Sequence, residues 1–141
     1  MPTKKSSYEN LQAHVRTMKI PGIEVWENQY AGRNYTIHLE IPEFTCICPK
    51  TGLPDFGAIV IDYIPAKTCL ELKSLKMYII AYRDKGIFHE HLVNRILDDL
   101  VAACQPKWMR VEGNIMPRGG IHTMVSAEYK GKKLLSKLES R

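Results

Sequence analysis

The 141-residue sequence lacks several features that would assign it to a familiar class at once. No apolar run approaches the length of about 20 residues that a membrane-spanning helix needs, so we expect no association with a membrane. Basic residues near the N-terminus are not followed by an apolar stretch, which argues against a secretory signal. The sequence therefore predicts a cytoplasmic protein.

The usual phosphate-binding motifs are also missing. Neither a Gly-x-Gly-x-x-Gly run after a predicted strand nor a Walker-type loop occurs. Any dinucleotide must therefore bind outside these frameworks. Internal repeats and domain linkers are absent as well, and a chain of this length buries roughly 70% of its unfolded surface in one domain. The sequence predicts a single domain, 1–141, with an N-terminal arm (1–22) and a basic C-terminal tail (130–141).

Cysteines are few, and charge is weakly informative. There are four cysteines, Cys46, Cys48, Cys69 and Cys104. In a reducing compartment, a catalytic or metal-binding role is more common for such residues than a structural disulfide. The formal net charge of +5 is compatible with an anionic partner such as nucleic acid or a phosphate-bearing cofactor. Because several basic residues lie in the tail and at the extreme N-terminus, charge alone decides little.

Hydrophobic periodicity divides the chain into two hairpins with a pair of helices between them. Strands are predicted at 35–41, 57–64, 108–116 and 121–129, with a short extended segment at 23–27. Helices are predicted at 70–83 and 88–103, with a short helical segment at 8–18. The ββααββ order indicates an α+β fold in which two helices cover one face of an antiparallel sheet. Its edge strands predict pairing with neighbouring subunits.

The segment 44–57 carries two cysteines, two prolines, two glycines and one aspartate between two predicted strands. This composition predicts a loop, which Pro49 and Pro54 stiffen. Such a loop can hold a nucleophilic thiol, Cys48, and a proton-donating carboxyl group, Asp55, at a fixed separation. A buried thiol and a turn aspartate are the alternative interpretation, and spacing does not decide between the two.

A metal site is the competing interpretation of this segment. Cys46 and Cys48, with His89 and His91, form a Cys-x-Cys and His-x-His set that offers four ligands for tetrahedral zinc. Structural zinc pairs usually have two or more intervening residues, however. Residues two apart in an extended chain also point to opposite faces. We therefore prefer the catalytic interpretation and expect no metal.

The predicted start of the first helix has two interpretations. The run 68–71 has the form of a capping box, with Thr68 as N-cap and Glu71 at the third helical position. A carboxylate there can instead accept hydrogen bonds from a ligand with several N–H donors. His89 and Glu90 at the start of the second helix allow the same two roles.

Two basic groups suggest phosphate contacts. Lys73, Ser74 and Lys76 lie in the first turns of the first helix, and form either a phosphate site or a solvated face. The run 117–120 predicts a tight turn that presents Arg118 and open backbone N–H groups to an anion.

Four motifs resemble, in the same order, those of the NADPH-dependent 7-cyano-7-deazaguanine reductases of queuosine biosynthesis (QueF), of the short single-module type. The motifs are CPKTGLPD (48–55), ELKSLKMY (71–78), FHE (88–90) and PRGGI (117–121). The resemblance spans about 24–121. It does not cover the arm or the tail.

The resemblance implies a tunnelling fold (T-fold) and a homo-oligomer, two closed rings stacked head to head with active sites at subunit interfaces. It implies NADPH as cofactor and a small-molecule substrate, 7-cyano-7-deazaguanine, whose nitrile is reduced to an aminomethyl group with two NADPH. No direct contact with nucleic acid is implied. In the implied roles, Cys48 adds to the nitrile to give a thioimide and Asp55 donates a proton.

The remaining implied roles concern binding. Substrate contacts are implied for Leu70, Glu71, Leu72, His89 and Glu90. Contacts with the NADPH phosphates are implied for Lys73, Ser74, Lys76, Arg118 and Gly119. Two alternatives stay open: an amidinotransferase-like T-fold enzyme acting on the same nitrile, and a non-enzymatic, metal-stabilised binding module. The second thiol of the loop, Cys46, is a bystander or a site of oxidation.

Overall fold

The computed structural model describes Tyr8, 11–15, Thr17 and 19–131. Within the arm, the described residues form turns, as in the hydrogen bond from the N–H of Leu11 to the C=O of Tyr8 (3.2 Å), so the short helix expected at 8–18 is not seen among them. The predicted basic tail lies outside the described residues from position 132 onwards. No helix in the described residues is long and apolar enough to cross a membrane.

The strands of the described chain form two sheets. They are β1 (Val25–Glu27), β2 (Ile37–Ile47), β3 (Pro54–Ile64), β4 (Thr68–Leu70), β5 (Trp108–Arg118) and β6 (Ile121–Lys130). The main sheet is antiparallel throughout, in the order β2-β3-β5-β6, while β1 pairs with β4 in a separate two-stranded sheet. The four predicted long strands and the short extended segment are therefore confirmed, and β4 is an element that periodicity did not indicate.

Two helices connect the hairpins. They are α1 (Leu72–Ile80), continued by a 3₁₀ turn (Ala81–Asp84), and α2 (His89–Cys104). Their apolar stripes face the sheet, so Leu75 of α1 and Ile96 of α2 share one buried cluster with Ile59, Ile61 and Val111 of the strands. The predicted α+β fold, with two helices on one face of an antiparallel sheet, is confirmed.

The helix layer lies close against the sheet at Gly113. A Cβ atom there would lie 2.8 Å from Cγ2 of Val93 in α2, so the missing side chain lets the helix settle onto β5. Side chains on the opposite face, such as Asp62 and Arg110, stay partly exposed because no described element covers them. The sheet therefore has one apolar, covered face and one polar face.

The prediction that 44–57 is a loop is wrong for most of its length. β2 continues to Ile47 and β3 begins at Pro54, so Cys46 pairs directly with Asp55 across the hairpin. A strand accepts proline as its first residue because the missing N–H is not needed there, as with Pro54 of β3. A shift of register between Ile41 and Phe44 accommodates Pro42 of β2. Only 48–53 turns.

The predicted capping box is also wrong. Thr68 belongs to β4, and its hydroxyl donates to the C=O of Cys104 (3.2 Å) instead of capping a helix. Glu71 itself is the N-cap of α1, because its backbone is extended and its carboxylate accepts the first free N–H groups of the helix. The pairing of β4 with β1 holds this segment extended up to the cap.

Candidate active site

The tip of the β2–β3 hairpin presents Cys48 in a closed turn. The N–H of Cys48 donates to the C=O of Leu53 (2.9 Å), and the N–H of Gly52 donates to the C=O of Cys48 (2.8 Å). Gly52 has φ +72°, a left-handed conformation that glycine adopts without strain. The turn thus fixes the backbone around the thiol while leaving its side chain half-buried.

The two thiols of the hairpin differ in reactivity. Burial acts to raise the pKa of Cys48, but hydrogen bonds from the Thr51 hydroxyl and from the backbone N–H groups of Thr51 and Lys50 outweigh it and lower this pKa below its usual value. Cys46 is fully buried, and mainly for that reason its pKa is raised to about 12. Because the thiolate is the nucleophile, only Cys48 is suited to attack an electrophile.

Asp55 is the second residue of β3, and its carboxylate is buried between His89 and Arg118. Its side chain is 6% exposed, with Oδ2 2.9 Å from Nε2 of His89 and 3.1 Å from Nη1 of Arg118. His89 opens α2, and Arg118 ends β5. Three elements that are distant in the sequence therefore meet at one carboxylate.

The hydrogen-bond pattern fixes the state of His89. Its Nδ1 lies 3.2 Å from Nη2 of Arg118, and a guanidinium can only donate, so Nδ1 accepts. The proton of the neutral imidazole is then on Nε2, which donates to Asp55. Asp55 therefore accepts hydrogen bonds from both neighbours.

A cation has little room in this cluster. Among the described residues, Cys46, Asp55 and His89 are the group whose ligand atoms lie close enough to share a metal, within 4.8 Å of one another. Arg118 already occupies the carboxylate, and its positive charge opposes a metal ion there. The zinc set suggested by the sequence is not assembled, since His91 is exposed and its Nδ1 bonds Gln12 (2.8 Å) instead.

Glu71 has a different environment, at the start of α1. Its carboxylate accepts the backbone N–H of Ser74 (2.6 Å) and of Lys73 (2.8 Å), and these bonds lower the pKa of Glu71. The C=O of Leu70 accepts the indole N–H of Trp26 (3.3 Å), whereas the side chain of Leu72 is exposed. Each carboxylate oxygen of Glu71 retains a second lone pair, so the group is still able to accept N–H donors of a ligand.

Within one chain, most of β3 on one path and α1 with its 3₁₀ turn on the other lie between Glu71 and the cysteine hairpin. The N–H of Leu70 bonds the hydroxyl of Tyr63 (3.0 Å), and Tyr63 lies eight positions after Asp55 on β3. At about 3.3 Å per residue, those positions span roughly 26 Å. The helical path from Glu71 to the cysteine hairpin, through α1 and its 3₁₀ turn, gives roughly 21 Å. Both lengths exceed the size of a single nucleobase.

The candidate phosphate-binding residues also lie in two places, one group near Glu71 and the other near Asp55. Lys73 and Lys76 are exposed near Glu71, where the hydroxyl of Ser74 already accepts the N–H of Glu24 (2.9 Å) and donates to the C=O of Glu71 (2.9 Å). Arg118 lies at the Asp55 end instead. It precedes two exposed glycines with positive φ, 119 (58°) and 120 (80°), which form the turn between β5 and β6.

Comparison with known proteins identifies the family of this chain. The family model described as "QueF-like protein" matches residues 54–134. A relative from Elusimicrobium minutum (strain Pei191), called NADPH-dependent 7-cyano-7-deazaguanine reductase, is 59% identical over 81% of this chain and 86% of its own length. The chain belongs to the QueF-like family. A relative with the same name from Nitrosomonas europaea is 58% identical over 78% of this chain and 79% of its own.

A solved structure that resembles this chain supports the fold. It is the crystal structure of the archaeosine synthase QueF-Like in the apo form, with a TM-score of 0.64 and 26% sequence identity over 68% of this chain and 94% of that one. The ββααββ chain described above thus has the T-fold that the sequence predicted. The much higher identity to the reductases places the present chain nearer to them than to the synthase.

The structure brings three of the predicted site residues, Asp55, His89 and Arg118, into one cluster that the sequence did not predict. Arg118 was expected at a cofactor phosphate and His89 at the substrate, yet both contact Asp55. The sheet topology could have predicted that Arg118 lies near Asp55. In a ββααββ sheet the start of the second strand lies beside the end of the third, which places Asp55 near Arg118. Glu90 is exposed on the first turn of α2, next to this cluster in sequence.

Proposed function

We propose that this protein reduces the nitrile of 7-cyano-7-deazaguanine to the aminomethyl group of 7-aminomethyl-7-deazaguanine, with NADPH as reductant, in queuosine biosynthesis. The observation that carries the proposal is an activated thiol, Cys48, at a hairpin tip that also carries a buried carboxylate, Asp55, in a QueF-like chain. Relatives of 56–59% identity bear the name of this NADPH-dependent reductase.

Cys48 and Asp55 supply the covalent step. The sulfur of Cys48 forms a bond to the nitrile carbon, and one π bond of the C≡N group becomes a lone pair on nitrogen. Asp55 takes the thiol proton as the S–C bond forms and transfers it to that nitrogen, so the product is a neutral thioimide with no proton gained or lost. His89 and Arg118 hold the carboxylate oxygen during the transfer.

Reduction of a nitrile to an amine takes four electrons, so NADPH when bound supplies a hydride in each of two rounds. Lys73 and Lys76 suit its phosphates, because both side chains are exposed and lie three positions apart on α1. We include Ser74, Arg118 and Gly119 as further contacts, of which Arg118 remains partly exposed beside Asp55. After the first round Cys48 leaves as the thiol, and its turn restores the hydrogen bonds to sulfur.

Substrate recognition requires a second copy of the chain. We propose that Glu71, with the backbone at Leu70 and Leu72, accepts the ring N–H groups of the base bound at Cys48 of a neighbouring subunit. His89 and Glu90 line the same pocket from the Cys48 side. The support is that elements roughly 21–26 Å long lie between Glu71 and the cysteine hairpin within one chain. β2 and β6 are the edge strands of the described sheet, and pairing of these edges between copies builds a ring.

An amidinotransferase-like reaction on the same nitrile is the second candidate. The match to an archaeosine synthase structure favours it, because Cys48 and Asp55 would form the same thioimide before ammonia, instead of hydride, attacks. The two reactions differ in their second reactant. Turnover with ammonia and without NADPH supports the transferase, and turnover with NADPH alone supports the reductase.

The deciding experiment omits the reductant. Protein mixed with the nitrile alone is expected to gain the mass of one substrate at Cys48, with a new thioimide absorbance, and to release the aminomethyl product when NADPH is added. Two NADPH are expected to be consumed per product. Cys48→Ala is expected to abolish the adduct, and Cys46→Ala to retain it. An adduct that survives Cys48→Ala but not Cys46→Ala contradicts the assignment, and stoichiometric zinc with no NADPH oxidation contradicts the function.

A further inference from the structure

The described part of the N-terminal arm lies across the two segments that carry the candidate catalytic residues. Three of its side chains make the contacts: Tyr8, Gln12 and His14. These residues precede the matched family segment, 54–134, and have no role in the chemistry proposed above. Their contacts therefore point to a separate task.

Gln12 and His14 bind the segment 86–91, which contains His89. Oε1 of Gln12 accepts the backbone N–H of Phe88 (3.1 Å) and the Nδ1–H of His91 (2.8 Å). Nε2 of His14 donates to the C=O of Gly86 (2.8 Å). Phe88 is the N-cap of α2 and its side chain makes no capping bond, so Gln12 supplies a polar partner that the helix start lacks.

Tyr8 connects this segment to the cysteine hairpin. Its ring centroid lies 4.9 Å from that of Phe88, and Nζ of Lys50 lies 5.6 Å from the centre of the Tyr8 ring. The backbone N–H of Lys50 is one of the donors that stabilise the Cys48 thiolate. The arm is thus in contact with both sides of the Cys48–Asp55–His89 site.

We propose that the arm is a strap that positions the active site, with Gln12 and His14 holding 86–88 so that His89 meets Asp55, and Tyr8 holding the cysteine turn against the start of α2. The three are positioning residues and do not touch the reacting atoms. The inference rests on the proposed function only for the identification of Cys48, Asp55 and His89 as catalytic. It does not depend on which second reactant the thioimide meets.

Substitutions of Gln12 separate positioning from packing. Gln12→Ala and Gln12→Leu remove the acceptor, the latter with its volume kept, and are expected to lower kcat for nitrile reduction about tenfold, since two hydrogen bonds near the site are lost. Gln12→Glu keeps an acceptor oxygen and is expected to restore the wild-type rate. Ala13→Ser, at an exposed position of the same turn, is the matched control. A lower Tm with unchanged kcat for Gln12→Ala and Gln12→Leu overturns the proposal.

Alkylation of Cys48 tests the other end of the strap without any reduction. The other three cysteines are buried, so iodoacetamide reports on Cys48 in the folded protein. Tyr8→Ala is expected to slow alkylation at pH 7 about threefold, and Tyr8→Phe, which keeps the ring, to leave it unchanged. Equal rates for wild type and Tyr8→Ala overturn the role of Tyr8. If the wild type is alkylated normally but reduces no nitrile, the proposed function fails. The comparison of alkylation rates between wild type and Tyr8→Ala still tests the role of the arm.

Discussion

The separation between Glu71 and Cys48 leads to a prediction about mixed oligomers. Cys48→Ala removes the nucleophile, and Glu71→Ser removes the carboxylate while leaving a residue that still caps α1. Each variant alone is expected to be inactive. If every site takes Cys48 from one copy and Glu71 from another, oligomers assembled from both variants contain sites in which both residues are intact.

The recovery expected of such mixtures follows from the geometry. With equal amounts and random assembly, a site is intact when its Cys48 comes from the Glu71→Ser chain and its Glu71 from the Cys48→Ala chain, which happens for about one quarter of the sites in a heterologous ring. Activity is therefore expected to recover to about a quarter of the wild-type value. If one chain supplied both residues, every site would lack one of them and no activity would return.

The assay uses co-expressed variants with two different affinity tags. Tandem purification isolates oligomers that contain both chains, and native mass spectrometry gives their ratio. NADPH oxidation in the presence of the nitrile then gives the specific activity against wild-type protein and against each variant purified alone. Mixed oligomers that remain inactive would refute the two-copy site, and with it the inference that the elements between Glu71 and Cys48 keep them apart in one chain.

Three further predictions follow from individual residues. Iodoacetamide is expected to label Cys48 at a lower pH than an ordinary thiol, and to label Cys46, whose pKa is about 12, only after unfolding, as measured by peptide mass spectrometry. Backbone N–H groups at the start of α1 lower the pKa of Glu71, so its ionised carboxylate stabilises the folded protein. This stability is complete above the unfolded pKa of about 4.3 and is lost as the pH falls through the lower folded pKa. In urea titrations below pH 5, Glu71→Gln is therefore expected to lose less stability on acidification than the wild type. Gly113→Ala is expected to lower the free energy of unfolding by about 1–3 kcal/mol, since its Cβ would lie 2.8 Å from Val93, and an unchanged urea midpoint contradicts the close packing described for β5.

The order of elements was predictable because it depends on local periodicity. Apolar residues three and four apart marked both helices, and alternation marked the strands at 35–41 and 108–116. The limits of β2 and β3 were not predictable in this way. Pro49, Pro54 and Gly52 reduce strand propensity, while the pairing of Cys46 with Asp55, which extends the ladder to the turn, is a contact between two strands. Local composition therefore predicted a turn at the right place, but a longer one than the structure has.

The N-cap of α1 is a second case in which a contact between distant segments, rather than local sequence, decides the structure. A threonine three residues before a glutamate is a local signal for a capping box, and here the signal is overridden by β1, some forty residues earlier in the chain. Once Thr68 pairs as a strand residue, the helix starts later and Glu71 becomes its cap. The residue remained a site candidate under either assignment, because a carboxylate at a helix start suits both roles.

The position of Arg118 connects the two roles that sequence and structure give it. A guanidinium has five N–H donors, and Arg118 directs Nη1 at Asp55 and Nη2 at His89. Its side chain is still 42% exposed, beside a glycine turn whose backbone is open. An arginine so placed is able to hold the Asp55–His89 pair and, through its remaining donors, an anionic group at the surface. A lysine has the charge but lacks the planar fork, so only arginine serves both at once.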